Sequence, residues 1–161
     1  MLLESLVWAF GALLAIPGAA YAGPVVYNVI GSRQRLFSVY GTDYALGTEM
    51  NWFEAYRICE KFHMKLATIK KPSHYAALII FLGTNMSSIR SDVWVGATNL
   101  GFNITTWYWM KDGSSVSYSN WMPNEPCRIG CMRLSHKHNF TWNDAECSSN
   151  KFQFVCEHTK F

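Results

Sequence analysis

The sequence has little charge and no stretch in which basic residues cluster. Only 16% of its 161 residues are Lys, Arg, Asp or Glu, and the formal net charge is +3. Lys70 and Lys71 are the adjacent basic pair in an otherwise scattered set, so the chain lacks the basic stripe of a nucleic-acid-binding protein. It also has no internal repeat or low-complexity segment, and its length predicts one domain.

No arrangement of residues suggests catalysis. A hydrolase would need paired acids or a nucleophile–base–acid triad, and we find neither. The Cys-x3-Cys step of Cys127 and Cys131, followed by His136 and His138, departs from the spacing of zinc fingers. A nucleophilic pair of Cys127 and His138 would lack an orienting third group. We therefore predict that the protein is not an enzyme and that these histidines lie on a solvated hairpin.

A long apolar run is absent as well. The uncharged run from Leu6 to Ile16 is shorter than the ~20 residues that a membrane-spanning helix needs. A proline and a glycine end this run, and Ala20-Tyr21-Ala22 then has the small-x-small pattern of a signal-peptidase site. We predict a signal peptide at 1–22, a mature domain at 23–161 and secretion, with an uncleaved anchor as the alternative.

Aromatic residues and cysteines are plentiful instead. Phe, Trp and Tyr make up 16% of the chain, enough to build a sizeable buried core. Outside the cell, the five cysteines are expected to form two disulfides and leave one thiol. N-x-S/T sequons predict a glycosylated surface; they begin at Asn85, Asn103 and Asn139.

The order of predicted elements indicates an α+β fold. Alternating residues predict short strands around Phe37–Val39 and Tyr44–Leu46. Apolar residues at three- and four-residue steps predict a first helix after Thr48, which could cap it. A second helix is expected from Pro72 to about Gly83, after a strand over 66–69. Short strands separated by turn residues fill the second half, and helices followed by such strands are typical of α+β domains.

Several short motifs, taken together and in order, resemble the C-type lectin-like domain over nearly all of the mature chain, from about Val39 to Glu157. The resemblance implies that fold in its short form, with two helices, antiparallel sheets, a long loop region and disulfides Cys59–Cys156 and Cys131–Cys147. The motifs are Trp52-x-x-Ala55-x-x-x-Cys59, Leu66-Ala67-x-Ile69, Trp94-Val95-Gly96-Ala97, Trp107-x-Trp109-x-x-Asp112-Gly113, Asn120-Trp121, Cys131-x-x-Leu134, Trp142-Asn143-Asp144 with Cys147, and Phe154-x-Cys156-Glu157.

The resemblance also implies a calcium site that binds sugars directly. Calcium takes six to eight oxygen ligands. Sugar-binding members supply them from a Glu-Pro-Asn or Gln-Pro-Asp triplet, a following Glu and the Asn-Asp of the Trp-Asn-Asp strand. This sequence retains Glu125-Pro126, a step expected to be cis, together with Asn143 and Asp144. Glu125, Asn143 and Asp144 are thus the expected calcium- and carbohydrate-binding residues, with a leaning toward mannose-type sugars.

The sequence departs from that ligand set at two positions. Cys127 stands where an amide oxygen is expected, and sulfur is a poor calcium ligand. Ile129 stands where the following Glu is expected, and the loop before Cys131 is short. Calcium binding is therefore expected to be weak. A second calcium site of the family also looks absent, because its acidic positions here are Asn99 and Asn103.

Two functional interpretations follow. The first is a secreted lectin that recognises extracellular glycans or glycoproteins through a degenerate calcium site. The alternative is a calcium-independent module that binds a protein through the same long-loop face. Alternatively, these residues have no binding role: Glu125 is an acidic loop residue and Asn143-Asp144 belongs to a turn.

Cys127 is the cysteine without an expected partner, and three fates are open to it. It could form a covalent dimer or another intermolecular link, compete with Cys131 for Cys147, or be a buried free thiol.

A glycan on Asn139, three residues before Trp142, is expected to stand near the binding face and screen it in part.

Overall fold

The computed structural model describes residues 37–159. The predicted signal peptide and the first residues of the predicted mature chain lie outside this range. Within it, no helix combines the length and the apolar character that crossing a bilayer would require.

Two helices lie among short strands, as the sequence predicted. The elements in chain order are β1 (Phe37–Val39), β2 (Thr42–Met50), α1 (Trp52–Lys61), β3 (Lys65–Leu66), α2 (Pro72–Thr84), β4 (Val93–Thr98), β5 (Tyr108–Trp109), β6 (Cys131–Ser135), β7 (Thr141–Ala145) and β8 (Phe152–Thr159). The long segment between β5 and β6 contains little regular structure and carries the Glu125-Pro126 step. This arrangement confirms the α+β class.

The strands form one sheet in the order β1-β2-β8-β4-β6-β7, with β3 on β8 and β5 on β4. Pairing is antiparallel except between β4 and β8, which run parallel. The sheet is therefore mixed, where antiparallel sheets were expected. The reason is that the last strand inserts between β2 and β4, and its antiparallel pairing with β2 sets its direction relative to β4. The β6–β7 hairpin forms the far end of the sheet and positions the candidate site.

Helix α1 begins three residues later than a Thr48 cap would require. Thr48 belongs to β2, and Asn51 is the N-cap. The Asn51 side chain accepts a hydrogen bond from the Glu54 amide at 2.9 Å, and the Glu54 carboxylate accepts one from the Asn51 amide at 3.1 Å. This reciprocal capping box satisfies two amides that the first turn would otherwise leave unpaired. The Thr48 cap prediction was therefore wrong.

Helix α2 begins at Pro72, as predicted, where the missing N–H of proline costs nothing. It continues through Gly83 to Thr84, and Asn85 follows as the C-cap. Its buried face packs over the main core. The strand predicted over 66–69 is shorter than expected: Lys65–Leu66 pairs with β8, and one further bond joins the Ala67 amide to the Val155 carbonyl.

Tryptophans and disulfides dominate the interior. Trp109 and Trp142 are fully buried and Trp107 is 4% exposed, so the tryptophans before the long loop belong to the core. Both disulfides implied by the resemblance are present. Cys59–Cys156 joins α1 to β8, and Cys131–Cys147 ties the start of β6 to the segment that follows β7.

Candidate functional site

The Glu125–Gly130 loop packs against the open end of the β6–β7 hairpin. The peptide bond between Glu125 and Pro126 is cis, as the resemblance implied. Ligand atoms of Glu125, Cys127 and Asp144 lie within 4.8 Å of one another. We call these three residues the loop cluster. The structure thus brings together two of the three residues expected to bind calcium and sugar, and it adds Cys127 to them.

Asp144 organises the loop. Its side chain is completely buried, and one carboxylate oxygen, Oδ2, accepts hydrogen bonds from the amides of Cys127 at 2.6 Å and Arg128 at 2.9 Å. The other oxygen, Oδ1, lies 2.9 Å from the Arg128 Nε in an ion pair. The pKa of Arg128 is raised by its hydrogen bond to the Cys127 sulfur and by the charge of Asp144. Both oxygens of Asp144 are therefore engaged within the chain.

The Asn143 side chain is engaged by a second arginine. Its side-chain oxygen accepts a hydrogen bond from the Arg133 Nη2 at 3.0 Å, and its amide nitrogen donates to the Met122 sulfur. Arg133 is itself held by an ion pair with Asp92 and lies over the Phe152 ring, 5.3 Å from the ring centroid. The Asn143 oxygen expected to bind calcium is consequently occupied by an anchored guanidinium.

Glu125 differs from Asn143 and Asp144 because one of its side-chain oxygens has no partner among the described residues. Its Oε2 atom is buried and has no hydrogen-bond partner in the described part of the chain. A buried carboxylate oxygen without a donor carries an uncompensated desolvation cost. This acceptor sits beside Cys127 and Asp144, so the cluster offers one open position for a hydrogen-bond donor or a cation.

The donor set does not fit calcium in this arrangement. Calcium requires six to eight oxygens, but Asp144 is paired with Arg128 and Asn143 with Arg133. The third position of the triplet supplies the Cys127 sulfur, which calcium does not favour. Glu125 alone retains an unengaged oxygen. A calcium ion would have to displace two guanidinium groups to gain the oxygens of Asp144 and Asn143.

Cys127 is an exposed free thiol. Its sulfur lies 3.8 Å from Asp144 Oδ1 and 3.7 Å from the Arg128 Nη2. The interpretation of Cys127 as a buried thiol is therefore wrong, because the short loop turns this side chain outward over the cluster. The structure pairs Cys131 with Cys147 and leaves Cys127 unpaired.

Asn99, Arg128 and Arg133 are site residues that the sequence reasoning did not identify. Asn99 is fully buried; its amide donates to the Arg128 carbonyl at 3.0 Å, and its oxygen accepts from the Gly130 amide at 2.7 Å. A Cβ atom on Gly130 would lie 2.4 Å from the Ala145 carbonyl, so only glycine allows this close approach. The available signal was the presence of Arg128 directly after the position that has lost its amide ligand.

Positions 99 and 103, where the second calcium site would need acids, serve local structure instead. Asn99 holds the loop, and the Asn103 oxygen accepts hydrogen bonds from Thr105 and Thr106.

The three sequons differ in accessibility. The Asn85 amide nitrogen, which would carry a glycan, donates to the Phe81 carbonyl at 2.8 Å. Asn103 and Asn139 are exposed and better suited to glycosylation.

The turn between β6 and β7 carries His136, His138 and Asn139 away from the loop cluster. His138 and Asn139 are exposed and His136 is half-buried. Asp144 pairs with Met132 near the other end of the hairpin. A glycan on Asn139 would therefore be attached at the far end of the hairpin from the cluster, which weakens the screening hypothesis.

A cavity of about 490 Å³ lies at the opposite edge of the sheet, between β1, the end of β8 and the start of α2. Two ion pairs, Lys70–Asp112 and Lys111–Glu157, neutralise charges along its wall. Burial raises the pKa of Glu157, and Lys111 opposes that effect. Because these charges already have partners, the loop cluster with its open acceptor is the stronger functional candidate.

Comparison with known proteins identifies the family to which this arrangement belongs. The profile of the lectin C-type domain matches residues 48–158. The C-type lectin lectoxin-Lio3 of Erythrolamprus poecilogyrus is 31% identical over 123 residues, which cover 71% of this chain and 73% of the relative. The C-type lectin mosGCTL-7 of Aedes aegypti is 27% identical over 115 residues, or 66% and 76% of the two chains.

Solved structures show the same fold. The complex of SPL-1 with GlcNAc superposes with a TM-score of 0.61 at 26% identity, and the match covers 78% of this chain and 91% of SPL-1. Human lithostathine gives a TM-score of 0.69 at 24% identity, covering 78% and 97% of the two chains. The arrangement of α1, α2 and the mixed sheet is therefore that of known structures.

Proposed function

The chain belongs to the lectin C-type domain family, and from this premise we propose that it is a secreted recognition domain that binds glycans at the loop cluster. The family consists of binding modules, so no enzymatic activity is proposed. Curated relatives include a C-type lectin described as salivary, from Aedes albopictus, which matches 68% of this chain. SPL-1, at 26% identity, forms a complex with GlcNAc.

The observation that carries the proposal is the open acceptor of Glu125. The buried Oε2 atom lacks a donor within residues 37–159. The Glu125 side chain as a whole is half-buried, so a rotation of its carboxylate would present this acceptor to a sugar hydroxyl. Hydrogen bonds to charged groups contribute about 1.5–3 kcal/mol. A hydroxyl that fills this position would recover the desolvation cost that the free protein bears.

The other proposed contact residues have supporting roles. Asp144 positions the loop through its two amide hydrogen bonds. Asn143 is directed by Arg133 and has 9% of its surface exposed. Glu125 and Asp144 carry two negative charges against the single positive charge of Arg128 at the cluster. The cluster therefore favours hydroxyl donors over anionic substituents. Calcium competes with Arg128 for Asp144, so glycan binding is proposed not to depend on calcium.

Replacing Glu125 by glutamine tests this role. Glu125→Gln is expected to weaken glycan binding by about 10-fold to 100-fold, which corresponds to the loss of a charge-assisted hydrogen bond. The melting temperature is expected to stay the same or rise, because the buried Oε2 atom has no hydrogen-bond partner in residues 37–159 that the substitution could remove. Retention on immobilised mannose and N-acetylglucosamine, measured with thermal melts, checks both expectations.

Glu49→Gln is the matched control, because Glu49 is exposed on β2. The control should bind and melt like the wild type. Undiminished glycan retention by Glu125→Gln would contradict the proposed contact.

The second candidate is calcium-independent recognition of a protein. It is favoured by exposed apolar residues near the loop: Ile129 is 44% exposed, and Phe102 is 58% exposed. Phe102 is connected to the loop through Asn99, since its amide donates to the Asn99 carbonyl at 3.0 Å. Binding to an extracellular glycoprotein that survives enzymatic removal of its glycans would favour this candidate over glycan recognition.

Cys127 is proposed to link two chains. An exposed cysteine without a partner in a secreted protein often forms an intermolecular disulfide. The secreted protein is expected to run as a dimer on a non-reducing gel and as a monomer with reductant, and Cys127→Ser should run as a monomer in both lanes. A wild-type monomer without reductant would contradict this link. Because Cys127 belongs to the loop cluster, reduction is also expected to increase glycan access.

A further inference from the structure

The Arg128 side chain enters the loop cluster from a loop that the rest of the domain holds firmly. Asn99 bonds to the Arg128 carbonyl and the Gly130 amide. The Arg128 amide itself donates to Asp144 Oδ2 at 2.9 Å, so the residue contacts both oxygens of that carboxylate, one through its backbone and one through its side chain. Contacts of both its backbone and its side chain therefore fix the position of Arg128.

We infer that the guanidinium of Arg128 replaces calcium as the structural cation of this loop. It neutralises Asp144 and fixes the loop that presents Glu125. This inference concerns how the loop is stabilised and goes beyond the proposed glycan binding, because it would hold whatever the domain recognises.

Two guanidinium groups engage the oxygens of Asp144 and Asn143 that a metal would have used. Arg128 Nε lies 2.9 Å from Asp144 Oδ1, and Arg133 Nη2 lies 3.0 Å from Asn143 Oδ1. Arg133 is anchored by Asp92, so its position does not depend on the loop. A guanidinium is always charged and offers several donors in a rigid plane. The pair therefore supplies the positive charge and the directional contacts of a bound cation.

The remaining sequence changes agree with this replacement. Cys127 and Ile129 occupy two positions at which the resemblance expects oxygen ligands. A loop stabilised by an internal cation does not need those ligands. Three consecutive residues thus show one consistent change: the expected oxygen ligands are missing at positions 127 and 129, and an arginine stands between them at position 128.

Loss of the Arg128 charge should restore an affinity for cations. Without the guanidinium, the carboxylates of Glu125 and Asp144 would face each other within 4.8 Å with no cation between them, and like charges at that distance repel each other. The Arg128 side chain is 56% exposed, so its truncation leaves the core packing intact. A divalent cation would relieve the repulsion.

The experiment compares thermal melts of the full secreted chain in millimolar calcium chloride and in chelator, at matched ionic strength and without sugar. The wild type is expected to show no shift. Arg128→Ala is expected to melt lower than the wild type in chelator and to rise by about 3–8 °C in calcium well above its Kd. Arg57→Ala is the matched control, because Arg57 is an exposed arginine on α1, and it should be insensitive to calcium.

Arg128→Gln provides a second variant that keeps a polar end group on an aliphatic stem and removes the charge. It should respond to calcium as Arg128→Ala does, and calorimetric titration with calcium chloride should show binding to both variants only. The inference is overturned if folded Arg128→Ala and Arg128→Gln ignore calcium, or if the wild type shifts as much as they do. No sugar is present in these melts, so their outcome is separate from the glycan test on Glu125.

Discussion

Replacing Cys59 and Cys156 together by alanine is expected to lower the free energy of unfolding by about 4–5 kcal/mol. The two residues are 97 positions apart, and closing a loop of this length removes that much chain entropy from the unfolded state in the loop-closure model. Both are fully buried at the contact of α1 with β8. Small domains have a total stability of only about 5–15 kcal/mol, so the variant is expected to be marginally folded at 37 °C.

Urea unfolding followed by tryptophan fluorescence measures this loss. The Cys131–Cys147 disulfide spans 16 positions, so its double alanine variant should lose less, about 3 kcal/mol. Cys127→Ser should keep the domain stability of the wild type, because Cys127 is exposed and forms no disulfide within its own chain. If the Cys59/Cys156 variant lost less free energy of unfolding than the Cys131/Cys147 variant, loop entropy would not account for the stabilisation.

Much of the fold could be predicted from local patterns and from the order of the motifs. Pro72 marks the start of α2, and both disulfides implied by the motifs are present. The α1 boundary was misplaced because Thr48 and Asn51 are both good capping residues. The reciprocal bonds of Asn51 with Glu54, formed after β2 has run through Thr48, decide between them. The parallel pairing of β4 with β8 depends on strand order across the whole sheet, and no local pattern contains it.

The candidate site was predictable in part. The resemblance placed Glu125 and Asp144 in one site, and the structure brings them together. Counting calcium ligands considers only residues that could supply oxygens, so it overlooks a cation supplied by the chain itself. The Arg128–Asp144 pair joins residues 16 positions apart, and the Arg133–Asn143 contact depends on the register of β6 against β7. Both contacts depend on tertiary structure.

Asp144→Asn is expected to lower the free energy of unfolding by about 2–3 kcal/mol. The carboxylate is completely buried and accepts two amide hydrogen bonds and one ion pair. Asparagine keeps one side-chain oxygen that can still accept the two amide bonds, so the loss arises mainly from the ion pair. Breaking a buried ion pair costs about 3–5 kcal/mol. The estimate lies below that range because Arg128 is 56% exposed and regains water when the pair is broken.

A double-mutant cycle with Arg128→Ala isolates the ion pair. If Asp144 acts through Arg128, the double variant should lose less stability than the two single variants lose in sum. Asp144→Asn should also abolish the calcium response expected of Arg128→Ala. Additive losses would show that the two amide bonds alone explain the role of Asp144. Glu125→Gln, by contrast, should weaken binding without loss of stability. The two acids of one cluster would then have separate roles, since Asp144 holds the loop together and Glu125 carries a buried oxygen whose missing donor a ligand supplies.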